Sequence, residues 1–229
     1  MKKIFFGLAM LLSLLLILLC MSVFNNSTAA VYILLASIIL GSYAYLEISS
    51  LGPKELALIG TLSSFAAVMR VPFAAIPNVQ PCTFIVAVSG YIFGPYKGFL
   101  VGINTAFISN IFLGQGPWTP WQMAAWGTVG FLSGILGKVA DRKGKVMKVE
   151  YFAALCFGYG FLFDWIMNLW HVLGFVRPIN IYTITAAYIS GLVFDIMHAA
   201  GNFVFVMVFY EKVCRILLRF RRRFDVSYE

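Results

Sequence analysis

The stretch GPYKGFLVGINTAFISNIFLGQGPWTPWQMAAWGTVGFLSGILG (94–137) decides the fold. Two apolar runs flank a short break, GQGPWTPWQ (114–122), built from glycine, proline and tryptophan. About 20 consecutive apolar residues cover the ~30 Å hydrocarbon core of a bilayer, so runs of this kind read as membrane-spanning helices. Proline interrupts a helix, and tryptophan favours the membrane–water interface. The stretch therefore reads as helix, shaped loop, helix.

The rest of the chain repeats that pattern. It is 61% hydrophobic and 11% charged. Soluble domains are nearer a quarter charged, so a soluble fold would leave apolar surface uncovered. Period-two alternation of the barrel type is absent. Candidate spans cover roughly 4–24, 30–50, 55–72, 83–96, 98–113, 121–137, 151–173 and 183–210. The prediction is an all-α, polytopic membrane helical bundle.

The breaks between spans are of two kinds, and they alternate. One kind is basic: Lys2 and Lys3, Lys54, Lys97, GKVADRKGKVMK (137–148) and EKVCRILLRFRRRF (211–224). The other is nearly uncharged: NNSTA (25–29), PFAAIPNVQPC (72–82), GQGPWTPWQ and GFVRPINIY (174–182). Fifteen of the seventeen Lys/Arg fall on one side, with Arg70 and Arg177 the exceptions. The positive-inside rule then puts both termini in the cytoplasm of a cell-membrane protein. The net charge of +8 reads as topology and a lipid-facing rim, not as a nucleic-acid patch. The first run follows Met-Lys-Lys and is longer than a usual signal core, so it reads as an uncleaved anchor.

Small residues recur at helical spacing in three spans: Gly94, Gly98, Gly102 and Ala106; Gly127, Gly130, Gly134 and Gly137; Ala57, Gly60, Ser63, Ser64 and Ala67. Such faces let helices approach closely, within one chain or against a partner. The uncharged loops carry Asn78, Gln80, Gln115, Trp118, Trp121, Gln122, Arg177 and Asn180. Their prolines impose a backbone shape, which suits a lid over a cavity; an interfacial aromatic belt is the competing reading for the tryptophans.

Polar groups also lie deep in the spans. Asp164, Asn168 and His171 share one helical face, as do Asp195, His198 and Asn202. A carboxylate at mid-membrane costs about 2.5–3.5 kcal/mol on insertion scales unless paired or wetted. Asn104 and Asn110 add a polar stripe, and Arg70 near the outer end of its helix is a possible partner for one aspartate. The functional reading is an externally open polar cavity; interhelical hydrogen bonding is the alternative. Phosphate-loop, H-E-x-x-H and G-x-S-x-G motifs are absent. The four cysteines have no metal-ligand spacing. No catalytic residue, metal site or cofactor is expected.

The segments ELALIGTLSSFAAVMRVPFAAIPNVQP (55–81), SGYIFGPYKGFLVG (89–102), ISNIFLGQGPWTPWQMAAWGTVGFLSGILG (108–137) and FDIMHAAGN (194–202) resemble the substrate-binding (S) component of energy-coupling factor (ECF) transporters. The resemblance implies a six-helix core at 53–211, preceded by an additional helix pair at 1–52 and followed by a basic cytoplasmic tail at 212–229. It implies a vitamin or similar micronutrient bound beneath the external loops. It also implies assembly with a membrane T component and two cytoplasmic ATPase subunits, which supply the ATP hydrolysis. The loop Pro72–Pro81 would be the gate, and Gly60, Ser64 and Ala67 would contact the T component. The ligand would meet Arg70, Asn78, Gln80, Asn104, Gln115, Trp118, Trp121, Asp164, Asn168, His171, Asp195 and Asn202. The similarity of 72–137 to corrinoid-linked members makes cobalamin or a precursor the first candidate cargo. The residues by themselves leave open an intramembrane enzyme or a proton-coupled carrier using Asp164 and Asp195.

Overall fold

A computed structural model of the protein describes residues 27–46, 49, 51–142, 144 and 146–226. The described residues form helices and connecting turns, with no strand among them. The first expected span, 4–24, lies outside them. The chain divides into two compact units, residues 1–56 and 57–229.

In the first unit, helix α1 (Ser27–Leu46) is apolar around its circumference. Ser37 and Ser42 donate back to the carbonyls of Ile33 and Ile39, so no hydroxyl is left unsatisfied at these positions. Helix α2 (Pro53–Arg70) starts at its end: Pro53 occupies the first turn, and Glu55 accepts the Gly52 N–H at 2.9 Å.

The second unit continues α2 and adds α3 (Cys82–Phe93), α4 (Pro95–Leu113), α5 (Thr119–Arg142), α6 (Val149–Phe175) and α7 (Ile181–Val226). These match the six core spans of the sequence reading. Among the described residues, five helices are long and apolar enough to cross a membrane: α1, α2, α5, α6 and α7. Helix α3 has only 12 residues, about 18 Å at 1.5 Å per residue. It packs against α4, α5, α6 and α7, and every residue from Cys82 to Ile92 is buried. A helix enclosed on all sides needs no polar face, which explains why its sequence is apolar apart from the buried Thr83 and Ser89.

Glycine makes that enclosure possible. A Cβ on Gly90 of α3 or Gly98 of α4 would strike the Gly130 carbonyl of α5. One on Gly137 would land on the Tyr91 carbonyl, and one on Gly102 on the Trp126 carbonyl. Two of the three small-residue stripes are thus consumed inside the chain. On α2, Gly60 and Ser64 remain exposed, while Ala67 is fully buried.

The bundle has two chemically different ends. At the basic end, the Met147 N–H donates to the Tyr91 hydroxyl oxygen at 2.8 Å and the Tyr210 hydroxyl donates to the Met147 carbonyl at 3.0 Å. Phe152 stacks on Tyr210 beside them. Helix α7 does not stop at 210, as the span reading placed it, but runs through the basic segment to Val226. Lys and Arg end a membrane span without ending a helix: they are good helix formers and suit a helix C-terminus. Arg221 of this extension pairs with Asp141 at 2.6 Å.

Candidate functional site

The opposite, uncharged end is where α2 and α4 finish and α3 and α5 begin. After the last turn of α2, a 3-10 turn (Val71–Phe73) starts a proline-bearing segment that runs to Cys82. Phe73 of this segment packs edge-on against Phe205 of α7. Asn78 adopts a left-handed φ of 56°, which asparagine tolerates better than most residues. The Asn78 amide donates to Asp164 Oδ1 at 3.2 Å. Val79 lies against Gly201, where a Cβ would crowd it. The α2–α3 loop is therefore anchored on residues well within α6 and α7.

A continuous polar chain crosses the bundle from that anchor. His198 Nδ1 lies 2.9 Å from Asp164 Oδ2, and His198 Nε2 lies 2.8 Å from Thr83 Oγ1. The Trp126 indole donates to the same Thr83 oxygen at 2.9 Å. Indole has no acceptor, so the Trp126 N–H donates to Thr83, and His198 bridges Thr83 to the Asp164 carboxylate through its two ring nitrogens. All of these side chains are buried.

On the other side of Trp126 sits Arg70, its guanidinium carbon 5.0 Å from the ring centroid. Arg70 does not meet an aspartate. Its Nε donates to Gln80 Oε1 at 2.7 Å, and its Nη1 donates to Ser109 Oγ and Asn110 Oδ1, both at 2.8 Å. Asn110 in turn donates to Thr119 at 3.0 Å and Gln122 at 2.7 Å. Thr119 donates to Gln115 Oε1 at 3.0 Å and accepts the Gly116 N–H at 3.2 Å. The Gly-Gln-Gly-Pro-Trp-Thr loop is thus tied to Arg70 through Asn110. The aspartate partner open to Arg70 in the sequence is not the one found among the described residues: Asp164 is satisfied by His198 and Asn78, and Gln80 with Ser109 and Asn110 of α4 surrounds the arginine.

The remaining polar and aromatic residues singled out in the sequence are placed as follows. Asp195 is buried and faces Asn168, whose amide lies 3.4 Å from each carboxylate oxygen, a long contact. Asn202 is completely buried, and among the described residues neither its amide nitrogen nor its oxygen has a partner. Trp118 is half-buried and packs edge-on against Trp170, whereas Trp121 is 2% exposed and belongs to the core. Asn104 is half-buried on α4. His171 is not drawn in: it is exposed, stacked on Phe175. Arg177 caps α6 by donating to the Val176 and Leu173 carbonyls.

Thr83, Ser109, Asn110, Thr119, Gln122, Trp126 and His198 were not among the expected ligand-facing set. For His198, Asn110 and Gln122 the sequence carried a signal, a polar residue on an apolar helix face or loop. For Thr83 and Ser109 it carried none, since Ser and Thr inside apolar helices usually bond their own backbone.

A family model described as "ECF transporter, substrate-specific component" matches residues 54–210. A UPF0397 protein of Aliivibrio salmonicida is 25% identical over 166 residues, covering 69% of this chain and 87% of that protein. One from Vibrio atlanticus is 34% identical over 77 residues, covering 34% of this chain. One from Aliivibrio fischeri is 26% identical over 91 residues, covering 38% of this chain. The chain spans 40% of the Vibrio atlanticus relative and 49% of the Aliivibrio fischeri one. No solved structure matches.

Proposed function

The chain belongs to the family of ECF-transporter substrate-specific components, and on that premise we propose that it captures a vitamin or related micronutrient at the external face. The captured solute is then taken up through a membrane T component and two cytoplasmic ATPase subunits. The observation that carries the reading is Asn202, wholly buried with its amide unpartnered among the described residues, on the α7 face that also holds Asp195 and His198. A buried polar group left without a partner costs about 1–3 kcal/mol, so an amide kept there only as helix glue would be paired. A bound solute supplies the missing hydrogen bonds.

Several features support this role. The α2–α3 loop covers the polar chain and is held by two side-chain hydrogen bonds, Asn78–Asp164 and Arg70–Gln80. Its remaining anchors are the packing of Phe73 on Phe205 and of Val79 on Gly201, and a proline-bearing loop held by side chains suits a gate. The Trp118–Trp170 pair offers aromatic faces to a ring-bearing solute, and a corrinoid remains the first candidate. The exposed Gly60 and Ser64 on α2 suit close packing with a T-component helix. The alternation of basic and uncharged ends supports a cytoplasmic location for both termini.

One geometry favours a second reading, that of an enzyme. Asp164, His198 and Thr83 stand in the order orienter, base and hydroxyl. Thr83, however, is fully buried and its oxygen already accepts the Trp126 indole. No substrate can approach it without dismantling the core, so the capture reading is preferred.

The test is to purify the chain in detergent, denature it, and identify released small molecules by mass spectrometry and visible absorbance. A stoichiometric micronutrient supports capture, and a corrinoid spectrum names the cargo. An empty protein with no thermal shift across a vitamin panel sinks the proposal. Uptake into vesicles without ATPase subunits would favour a stand-alone carrier instead.

A further inference from the structure

We infer that Arg70 is an anion handle, so that the solute bound here carries a carboxylate or phosphate group; this rests on the capture reading above. Arg70 is 9% exposed. Every group arranged around its guanidinium is neutral: Gln80, Ser109, Asn110 and the face of Trp126. Among the described residues no carboxylate forms an ion pair with it, and Asp164 already accepts from His198 and Asn78. A buried cation without a counter-charge costs several kcal/mol. The C-terminal ends of α2 and α4 offset part of it, because their carbonyls carry partial negative charge. A full negative charge is still missing.

The orientation of the surrounding amides makes the same point independently. Arginine has only donors, so Gln80 and Asn110 must turn their oxygens toward it. Asn110 must then present its amino group to Gln122, and Gln122 must answer with its oxygen. The acceptors of this cluster are therefore engaged. The unused groups are donors: Arg70 Nη2 and the amino groups of Gln80 and Gln122, none of which has a partner among the described residues. A site whose spare hydrogen-bonding capacity is all donor, centred on an uncompensated guanidinium, fits an oxyanion.

A lipid headgroup phosphate has the same chemistry as a soluble acid, so the experiment separates them. The full chain in nanodiscs of a zwitterionic lipid is titrated calorimetrically with acid/neutral pairs: nicotinate and nicotinamide, pantothenate and pantothenol, biotin and its amide, a corrinoid acid and its amide. For whichever scaffold binds, the acid is expected to bind about 100-fold more tightly. R70Q should bring acid and neutral forms within a few-fold of each other, with R70K intermediate. If R70Q does not fold, the wild-type preference decides alone. A neutral or cationic member binding as well as the acid overturns the inference and leaves capture intact. Loss of a stoichiometric phospholipid in R70Q, with no preference for any soluble acid, also overturns it. A folded chain that binds none of the pairs overturns capture and this inference together.

Discussion

His198 joins two halves of the buried polar chain, since one ring nitrogen faces Asp164 and the other faces Thr83. Its loss leaves a buried carboxylate with only the Asn78 amide, so His198→Ala should cost about 3–5 kcal/mol. Combining it with Asp164→Leu should restore part of that loss. A double-mutant cycle by chemical or thermal denaturation in detergent measures the coupling, and strict additivity would refute the pairing. The tryptophans of the external loop separate in the same way. Trp118 lies at the half-buried surface, edge-on to Trp170 and over Gly116, so Trp118→Ala should weaken solute binding with little change in Tm. Trp121 is core, and Trp121→Ala should cost about 3–5 kcal/mol whatever the solute does. Sequence placed both in one lid; only burial told them apart, because each follows a proline and neither is marked by its neighbours.

Among the helices, the α3–α4–α5 unit depends on backbone contact that any side chain disrupts. Gly130→Ala should destabilise the bundle by about 1–3 kcal/mol or more, since its Cβ would strike the Gly98 backbone. Gly60→Ala should be close to neutral, because nothing lies within 4 Å of the added Cβ. That contrast, read from unfolding midpoints, checks the packing. Gly60 then gives a second test. Gly60→Ile with Ser64→Ile should keep the fold and solute binding yet lose co-purification with the T component and ATPases. Unaltered assembly would move the partner surface off α2. The repeated small residues were legible as close-packing faces, and those of α4 and α5 do close inside the chain. Which faces close inside the chain was not, because a Gly-x-x-x-Gly stripe is identical whether its neighbour is another helix of the bundle or a partner.

Across the molecule, the polarity of the ends is open to a direct test. Gln115 lies at the uncharged end and Val146 at the basic end, and both are exposed. In a background lacking native cysteines, Gln115→Cys should react with an impermeant maleimide on intact cells, and Val146→Cys only after permeabilisation. The reverse result would invert the topology. Composition and charge pattern were enough to specify a helical membrane bundle, the positions of its core helices and two opposed ends, because solvation by lipid acts on each segment separately. They also marked the aspartates, asparagines and Arg70 as costly groups needing a reason. What they could not specify were the partners of those groups. That Arg70 meets Gln80, Ser109 and Asn110, that Asp164 meets His198, and that Asn202 meets no partner among the described residues were settled only when four helices closed around α3. A hydrogen bond extends about 3 Å, and residues up to 115 positions apart reach that distance only through the packing of the whole bundle.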